Sequence, residues 1–275
     1  MPDRHRSIKV HKPLNTHRQS SGDWRLFKAT IGDARLWKNL LAAISTLIEE
    51  ADFNAAPEGI KLRSMDPSHV AMVDFEWNKS AFEEYTCLQP TKIRLNISDI
   101  VKKLRSAGPE PLEMSYDDST RKLSMIIKGK WRTTFTLPTL DPGDEEVPTP
   151  KIAFNTKIKM ISSSFKDIID QIQTVGDNVR FETSQEKFIA EAVTELSGAK
   201  IELEKGSDVL LELEVKEPCK ATFSLNYLSE ISKAGSMAAE LVTLEFSSNM
   251  PVKLEYEMPQ QGRLLYYLAP RIEAE

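Results

Sequence analysis

Cys87 and Cys219 are the only two thiols in this chain, and they do not form a C-x-x-C pair. A disulfide framework and a cysteine zinc site are thereby excluded, and a reducing compartment is the expected setting. No apolar run approaches the ~20 residues a membrane-spanning helix needs, and none resembles a secretory signal. The 11 glycines never fall into G-x-G or a Walker loop, so phosphate-cradling motifs are absent. Of the four histidines only His69 lies beyond residue 17. That leaves no histidine metal pair and a poor basis for acid–base chemistry near pH 7. Glu49-Glu50 and Glu83-Glu84 read as solvated surface, and Ser162-Ser163-Ser164 as a helix N-cap rather than a nucleophile. No catalytic constellation can be assembled, and neither metal nor cofactor is expected.

What is present is ample apolar material. At 275 residues and 40% hydrophobic, the chain can build two cores rather than one. Its formal net charge of −5 argues mildly against a whole-surface nucleic-acid binder. The charge is uneven, however. Residues 1–25 hold six Lys or Arg against Asp3 and Asp23, leaving 30 basic and 39 acidic residues elsewhere. This head also carries His5, His11 and His17 and lacks any apolar period. It reads as a disordered basic arm, with an artefact of the assigned start as the equal alternative.

From Leu26 onward one pattern recurs four times: an extended segment, an amphipathic helix, then alternating strands. The leading segments are expected at Phe27, Thr91, Lys151 and Lys220, spaced by roughly 60 to 70 residues as in internal duplication. Helical stripes are Leu36, Leu40, Leu41, Ile44, Leu47 and Ile48; Ile97, Ile100, Val101 and Leu104; Phe165, Ile168, Ile169 and Ile172; and the weaker Tyr227, Leu228 and Ile231. Strands alternate: Val73, Phe75 and Trp77 against Asp74 and Glu76, and Val252, Leu254 and Tyr256 against Lys253 and Glu255. Period two with one polar face predicts antiparallel sheet covered on one side, hence an α+β fold with the helices on one face.

Leu137–Pro150 holds Pro138, Pro142, Pro148 and Pro150 with four acidic residues, and reads as an extended linker. The expected organisation is an arm (1–25), a first domain (26–136), the connecting loop (137–150) and a similar second domain (151–275), each domain made of two units.

LRSMDPSHVAMV (Leu62–Val73), the linker, MPVKLEY (Met250–Tyr256) and GRLLYYLAPRIEAE (Gly262–Glu275) together resemble the sliding clamps of the proliferating cell nuclear antigen family. The resemblance runs from about Leu26 to the last residue, and the end after Ile272 looks more archaeal than eukaryotic. It implies a DNA polymerase sliding clamp: a homotrimeric ring around double-stranded DNA, closed by edge-strand pairing near Lys130–Thr136 of one subunit and Gly198–Glu204 of the next. By the same resemblance, Lys38, Lys102, Lys103, Arg105 and Lys233 line the channel. The third helix is a departure, because Asp167 and Asp170 flank Lys166 where eukaryotic members have arginines, so it is expected to contribute less to DNA contact.

The resemblance also implies a docking pocket for clients with a Gln-x-x-aliphatic-x-x-aromatic-aromatic motif. Matched positions are Met65, His69, Val70, Met72, Val147, Pro251, Tyr267, Ala269 and Pro270, with Tyr266 or Leu268 left to the core. Implied partners are DNA polymerase, a clamp loader, a flap nuclease and DNA ligase, for replication and repair. The implied setting is the cytoplasm of an archaeon, on chromosomal DNA, or the nucleus of a eukaryote. Two alternatives stay open: one subunit of a heterotrimeric replication or checkpoint clamp, and an unrelated α+β enzyme with a linker-spanning site.

Overall fold

A computed structural model describes residues 26–143 and 147–272, so the basic arm and residues 144–146 of the linker lie outside the described residues. The first unit is β1 (Phe27–Ile31), α1 (Ala34–Ser45), β2 (Glu50–Ala56), β3 (Gly59–Met65), β4 (Ala71–Asn78) and β5 (Glu84–Cys87). The second is β6 (Thr91–Asn96), α2 (Ile97–Lys103), β7 (Leu112–Asp117), β8 (Lys122–Lys128) and β9 (Arg132–Pro138). The third is β10 (Thr156–Ile161), α3 (Ser162–Gln173), β11 (Asn178–Thr183), β12 (Lys187–Val193), β13 (Gly198–Glu204) and β14 (Leu210–Val215). The fourth is β15 (Lys220–Ser224), α4 (Leu225–Ala238), β16 (Leu241–Phe246), β17 (Val252–Met258) and β18 (Gly262–Leu268).

The leading strands begin at Phe27, Thr91, Thr156 and Lys220, at intervals of 64, 65 and 64 residues. The repeat is therefore tighter than expected, and the third leading segment is corrected from Lys151 to Thr156. Ile152 and Phe154 alternate like a strand, but the segment beyond Pro148 and Pro150 is coil. At the other end of the linker, Leu137 and Pro138 belong to β9.

Neither half divides into two independent pieces, because the units exchange their leading strands. β1 pairs with β7 of the second unit, and β6 pairs with β2 of the first. In the second half β10 pairs with β16 and β15 with β11. The helices repeat the exchange. Each first helical N–H, which has no intrahelical partner, donates to the carbonyl just before a strand of the sister unit. The four bonds are Ala34 to Glu110 (2.9 Å), Ile97 to Glu49, Ser162 to Glu240 and Leu225 to Asp177 (each 2.8 Å). Asp33 and Asn96 add side-chain caps to α1 and α2. The serine run does not cap α3: Ile161 is the cap residue, and Ser162, already inside the helix, donates its buried hydroxyl to the Ala239 carbonyl.

All sheet pairings between strands are antiparallel, in the orders β5-β1-β7-β8-β9, β14-β10-β16-β17-β18-β4-β3-β2-β6 and β13-β12-β11-β15. The central sheet crosses from one half to the other where β18 meets β4, with Tyr266 opposite Val73. On its inner face the Tyr266 hydroxyl donates to the Ala43 carbonyl of α1 at 2.8 Å, and Trp37 stacks on Trp77. Tyr266 and Leu268 are both buried in this core. α2 packs on α1, α1 on α4 and α4 on α3, so the four helices form one row on one side of the sheets.

Candidate functional site

The helix row turns its apolar stripes to the sheets and its polar sides outward. Lys102, Lys103 and Arg105 are exposed at the C-terminal end of α2, Arg105 just past the helix. Lys102 lies 3.2 Å from Asp99, whereas Lys103 and Arg105 have no ion-pair partner among the described residues. Lys233 is exposed on α4. Lys38 on α1 is half-buried, and its ammonium donates to the Ala107 carbonyl at 2.8 Å, which ties α1 to the chain after α2. On α3, Lys166 is held by Asp170 at 2.6 Å and Asp167 at 3.6 Å. The positive charge is thus one-sided. Along α1 and α2, Arg35, Lys38, Lys102, Lys103 and Arg105 outnumber Asp33, which caps α1 and pairs with Arg35, and Asp99, while Lys166 and Lys233 share α3 and α4 with Asp167, Asp170 and Glu230.

The outer face of the central sheet is ordered by strand register. One row across β17, β18, β4 and β3 reads Lys253, Tyr267, Met72 and Met65. The next reads Glu255, Leu265, Asp74 and Arg63, and the third Glu257, Arg263, Glu76 and Lys61. Charge dominates these rows except where Tyr267, Met72, Met65 and Leu265 meet. Continuing the register past Lys253, Tyr267 and Met72 brings Pro251, Ala269 and Val70 together, and the Ala269 N–H donates to the Val70 carbonyl at 2.9 Å. Eight of the nine positions matched for docking thus gather at one end of the sheet, with Pro270 following Ala269 and His69 exposed beside Val70. Met72 is 3% exposed, so it forms the floor between Met65 and Tyr267 rather than a rim. Val147 is set apart: it lines a polar cavity of about 370 Å³ with Arg63, Asp74, Asp52 and Arg94.

Tyr267 is half-buried on this face, opposite to its neighbours Tyr266 and Leu268. Burial pushes its hydroxyl pKa up, against the pull of nearby Lys253. The linker crosses the same face. The Gly143 N–H donates to Asp52 at 3.1 Å and Lys92 donates to the Gly143 carbonyl at 3.0 Å. Arg63 donates to Asp74 at 2.6 Å and to the Thr149 hydroxyl at 2.6 Å, and Lys253 lies over the Phe154 ring.

Asp66, which the sequence shows only as part of the Leu62–Val73 motif, and Tyr227, which it shows only as part of an apolar helix stripe, organise the site. Asp66, buried at the end of β3, accepts N–H bonds from Ser68, Val70 and Ala71 and a hydroxyl bond from Tyr227. Burial raises its pKa, but these four donors outweigh it and hold the carboxyl below its ordinary value. An Asp opening a Pro-Ser turn is a legible Asx-turn signal. The partner on α4 is not legible, because it lies 161 residues away. Among the described residues no cluster of His, Cys, Asp or Glu could hold a metal, and no helix is long and apolar enough to cross a membrane.

Residues 26–139 match the model of the proliferating cell nuclear antigen N-terminal domain, and residues 148–271 that of its C-terminal domain. Curated relatives include proteins named DNA polymerase sliding clamp. That of Thermofilum pendens is 32% identical over 250 residues, covering 90% of this chain and all of the relative. That of Nitrosopumilus maritimus is 35% identical over 238 residues, covering 86% and 95%. Among solved structures, the proliferating cell nuclear antigen of Thermococcus kodakaraensis superposes with a TM-score of 0.85 at 26% identity, over 89% of this chain and all of the other. That of Entamoeba histolytica gives 0.84 at 24% identity, over 90% and all, a likeness of fold alone. Both domain models matched in order, and relatives above 30% identity along almost the whole chain, lead to one assignment: this chain belongs to the proliferating cell nuclear antigen family.

Proposed function

We propose that this chain is a DNA polymerase sliding clamp, a processivity factor that acts by encirclement and recruitment and performs no chemistry of its own. Its domains are residues 26–136 and 151–275, joined by 137–150. The observation that carries the reading is the single row of helices, one from each repeated unit, with Lys102, Lys103, Arg105 and Lys233 turned outward on one face. Three copies place twelve such helices around a hole, with Lys38 bracing the row from within. Phosphate contacts of this kind carry no sequence information, so any duplex is accepted and binding weakens with salt.

Ring closure uses the free edges of two sheets. β9 ends the first sheet and β13 the third, and each edge leaves ladder groups unpaired. Antiparallel pairing of β9 with β13 of the next copy sets basic Arg132 and the adjacent Lys130 against acidic Glu202 and Glu204. Clients bearing Gln-x-x-aliphatic-x-x-aromatic-aromatic, among them polymerase, loader, flap nuclease and ligase, seat their aromatic anchors on Met65, Met72, Tyr267, Val70, Pro251, Ala269 and Pro270, beside His69. Val147 adds backbone from the linker. Adaptable methionines and rigid prolines suit such a hollow.

The test is topological. Loaded onto nicked circular DNA, the protein should be retained in moderate salt and should run off once the circle is cut. Retention on both forms, or on neither, overturns the proposal. Native mass gives the stoichiometry: about three times 31.1 kDa for a homotrimer, and a monomer at micromolar concentration for a heteromeric ring.

A further inference from the structure

The turn that presents His69 and Val70 is built around one carboxylate that the two halves of the molecule share. Asp66 is 4% exposed. Its Oδ1 accepts from the N–H groups of Val70 and Ala71, each at 2.7 Å, and its Oδ2 from the N–H of Ser68 at 3.0 Å. Two backbone bonds close the same loop, Asp66 N–H to the Ala71 carbonyl and His69 N–H to the Asp66 carbonyl, both 2.9 Å. The closure forces His69 to φ 56°, a region that non-glycine residues rarely occupy. Such a conformation persists only where its surroundings over-determine it. The fourth donor to Asp66 is the Tyr227 hydroxyl, 2.8 Å from Oδ2, and it belongs to α4 of the other half.

Tyr227 is half-buried and walls a cavity of about 270 Å³ with Thr46, Leu47, Asn226 and Glu230, on the helix side of the molecule. Glu230 lies one turn further along α4 and Lys233 about one turn beyond it. The Asp66 turn thus touches the helix row through one carboxylate oxygen and the docking row through its own backbone. A displacement of α4 by 1 Å would stretch the hydroxyl bond beyond hydrogen-bonding range.

We propose that Tyr227 is a positioning residue for client docking: its hydroxyl, acting through Asp66, fixes the turn that offers Val70 and His69 to a bound peptide. The inference rests on the docking reading given above. It makes α4, the helix that offers Lys233 to DNA, part of the client site as well.

The experiment compares the full chain with its Tyr227→Phe variant, which keeps the ring and removes one oxygen. A fluorescent synthetic peptide containing Gln-x-x-Leu-x-x-Phe-Phe is titrated into each, and amide exchange is followed at Val70, Ala71, Val73 and Phe75. The expected result is peptide affinity weakened about tenfold, with native mass unchanged. Exchange should quicken at Val70 and Ala71 while Val73 and Phe75, deeper in β4, keep their protection. Wild-type affinity in Tyr227→Phe overturns the positioning role. So does exchange that quickens equally along β4, which marks a general loss of stability. Failure of the unaltered protein to bind the peptide overturns the docking reading instead.

Discussion

Tyr256 shows what one residue of β17 settles and what it leaves open. Its alternation with Glu255 and Lys253 predicts an inward side chain, and the ring is indeed fully buried, with burial pushing its hydroxyl pKa well up. Its hydroxyl has no hydrogen-bond partner among the described residues. A buried hydroxyl of this kind carries a desolvation cost that nothing returns. Tyr256→Phe should therefore leave stability unchanged or raise it by about 1 kcal/mol. The neighbouring change runs the other way. Gly235 on α4 lies so close over the Tyr256 ring that an added methyl would collide with it. Gly235→Ala should cost about 1–3 kcal/mol despite alanine's better helix propensity. Thermal unfolding of the two variants checks both signs, and a stabilised Gly235→Ala would refute the packing argument. Hydropathy patterning reveals which face a residue takes. It cannot reveal a missing hydrogen bond or a ring pressed on a glycine, because both depend on how distant elements meet.

At the scale of elements, the helix stripes and strand alternations were legible because each depends only on near neighbours. The third leading strand was misplaced because Ile152 and Phe154 mimic a strand that the linker prolines prevent. Strand register explains why Met65, Met72 and Tyr267 meet, and no periodicity in a single segment contains that information. The linker is the element whose behaviour follows most directly from side-chain bonds. Arg63 ties it down at Thr149 while pairing with Asp74, whose side chain is almost closed from solvent. Arg63→Ala should strand that carboxylate at a cost of about 3 kcal/mol. It should also release the crossing segment, seen as faster protease cleavage between residues 139 and 155. Adding Asp74→Ala should recover part of the stability and none of the protection. Equal cleavage rates in Arg63→Ala and the unaltered protein would show that the segment is held by other contacts.

For the whole molecule, net charge was the least informative quantity in the sequence. A total of −5 hides a sorted surface, with bases along α1 and α2 and ladders of alternating charge on the outer sheet. The edges carry their own signs, and in the proposed ring these would set the direction of assembly. Arg132→Glu should lower the native mass by weakening the contact between β9 and the acidic end of β13. Combining it with Glu204→Arg should restore the complex, because the exchanged pair regains its attraction. If the double variant assembles no better than the single one, the two edges do not meet in that register. Periodicity marks neither strand as an edge, because both alternate like their paired neighbours; only the family resemblance pointed to Lys130–Thr136 and Gly198–Glu204.

The reciprocal helix bonds, Ala34 to Glu110 against Ile97 to Glu49 and Ser162 to Glu240 against Leu225 to Asp177, bear on where such a molecule begins. A lone unit of some 64 residues would lose the sister-unit neighbour of its leading strand and the acceptor for its first helical amide. What it lacks is what a second copy of itself supplies. Gene duplication in this lineage would then have joined two halves of a pre-existing symmetric pair, since a two-fold dimer is the smallest closed form of the architecture, however many chains it is written on.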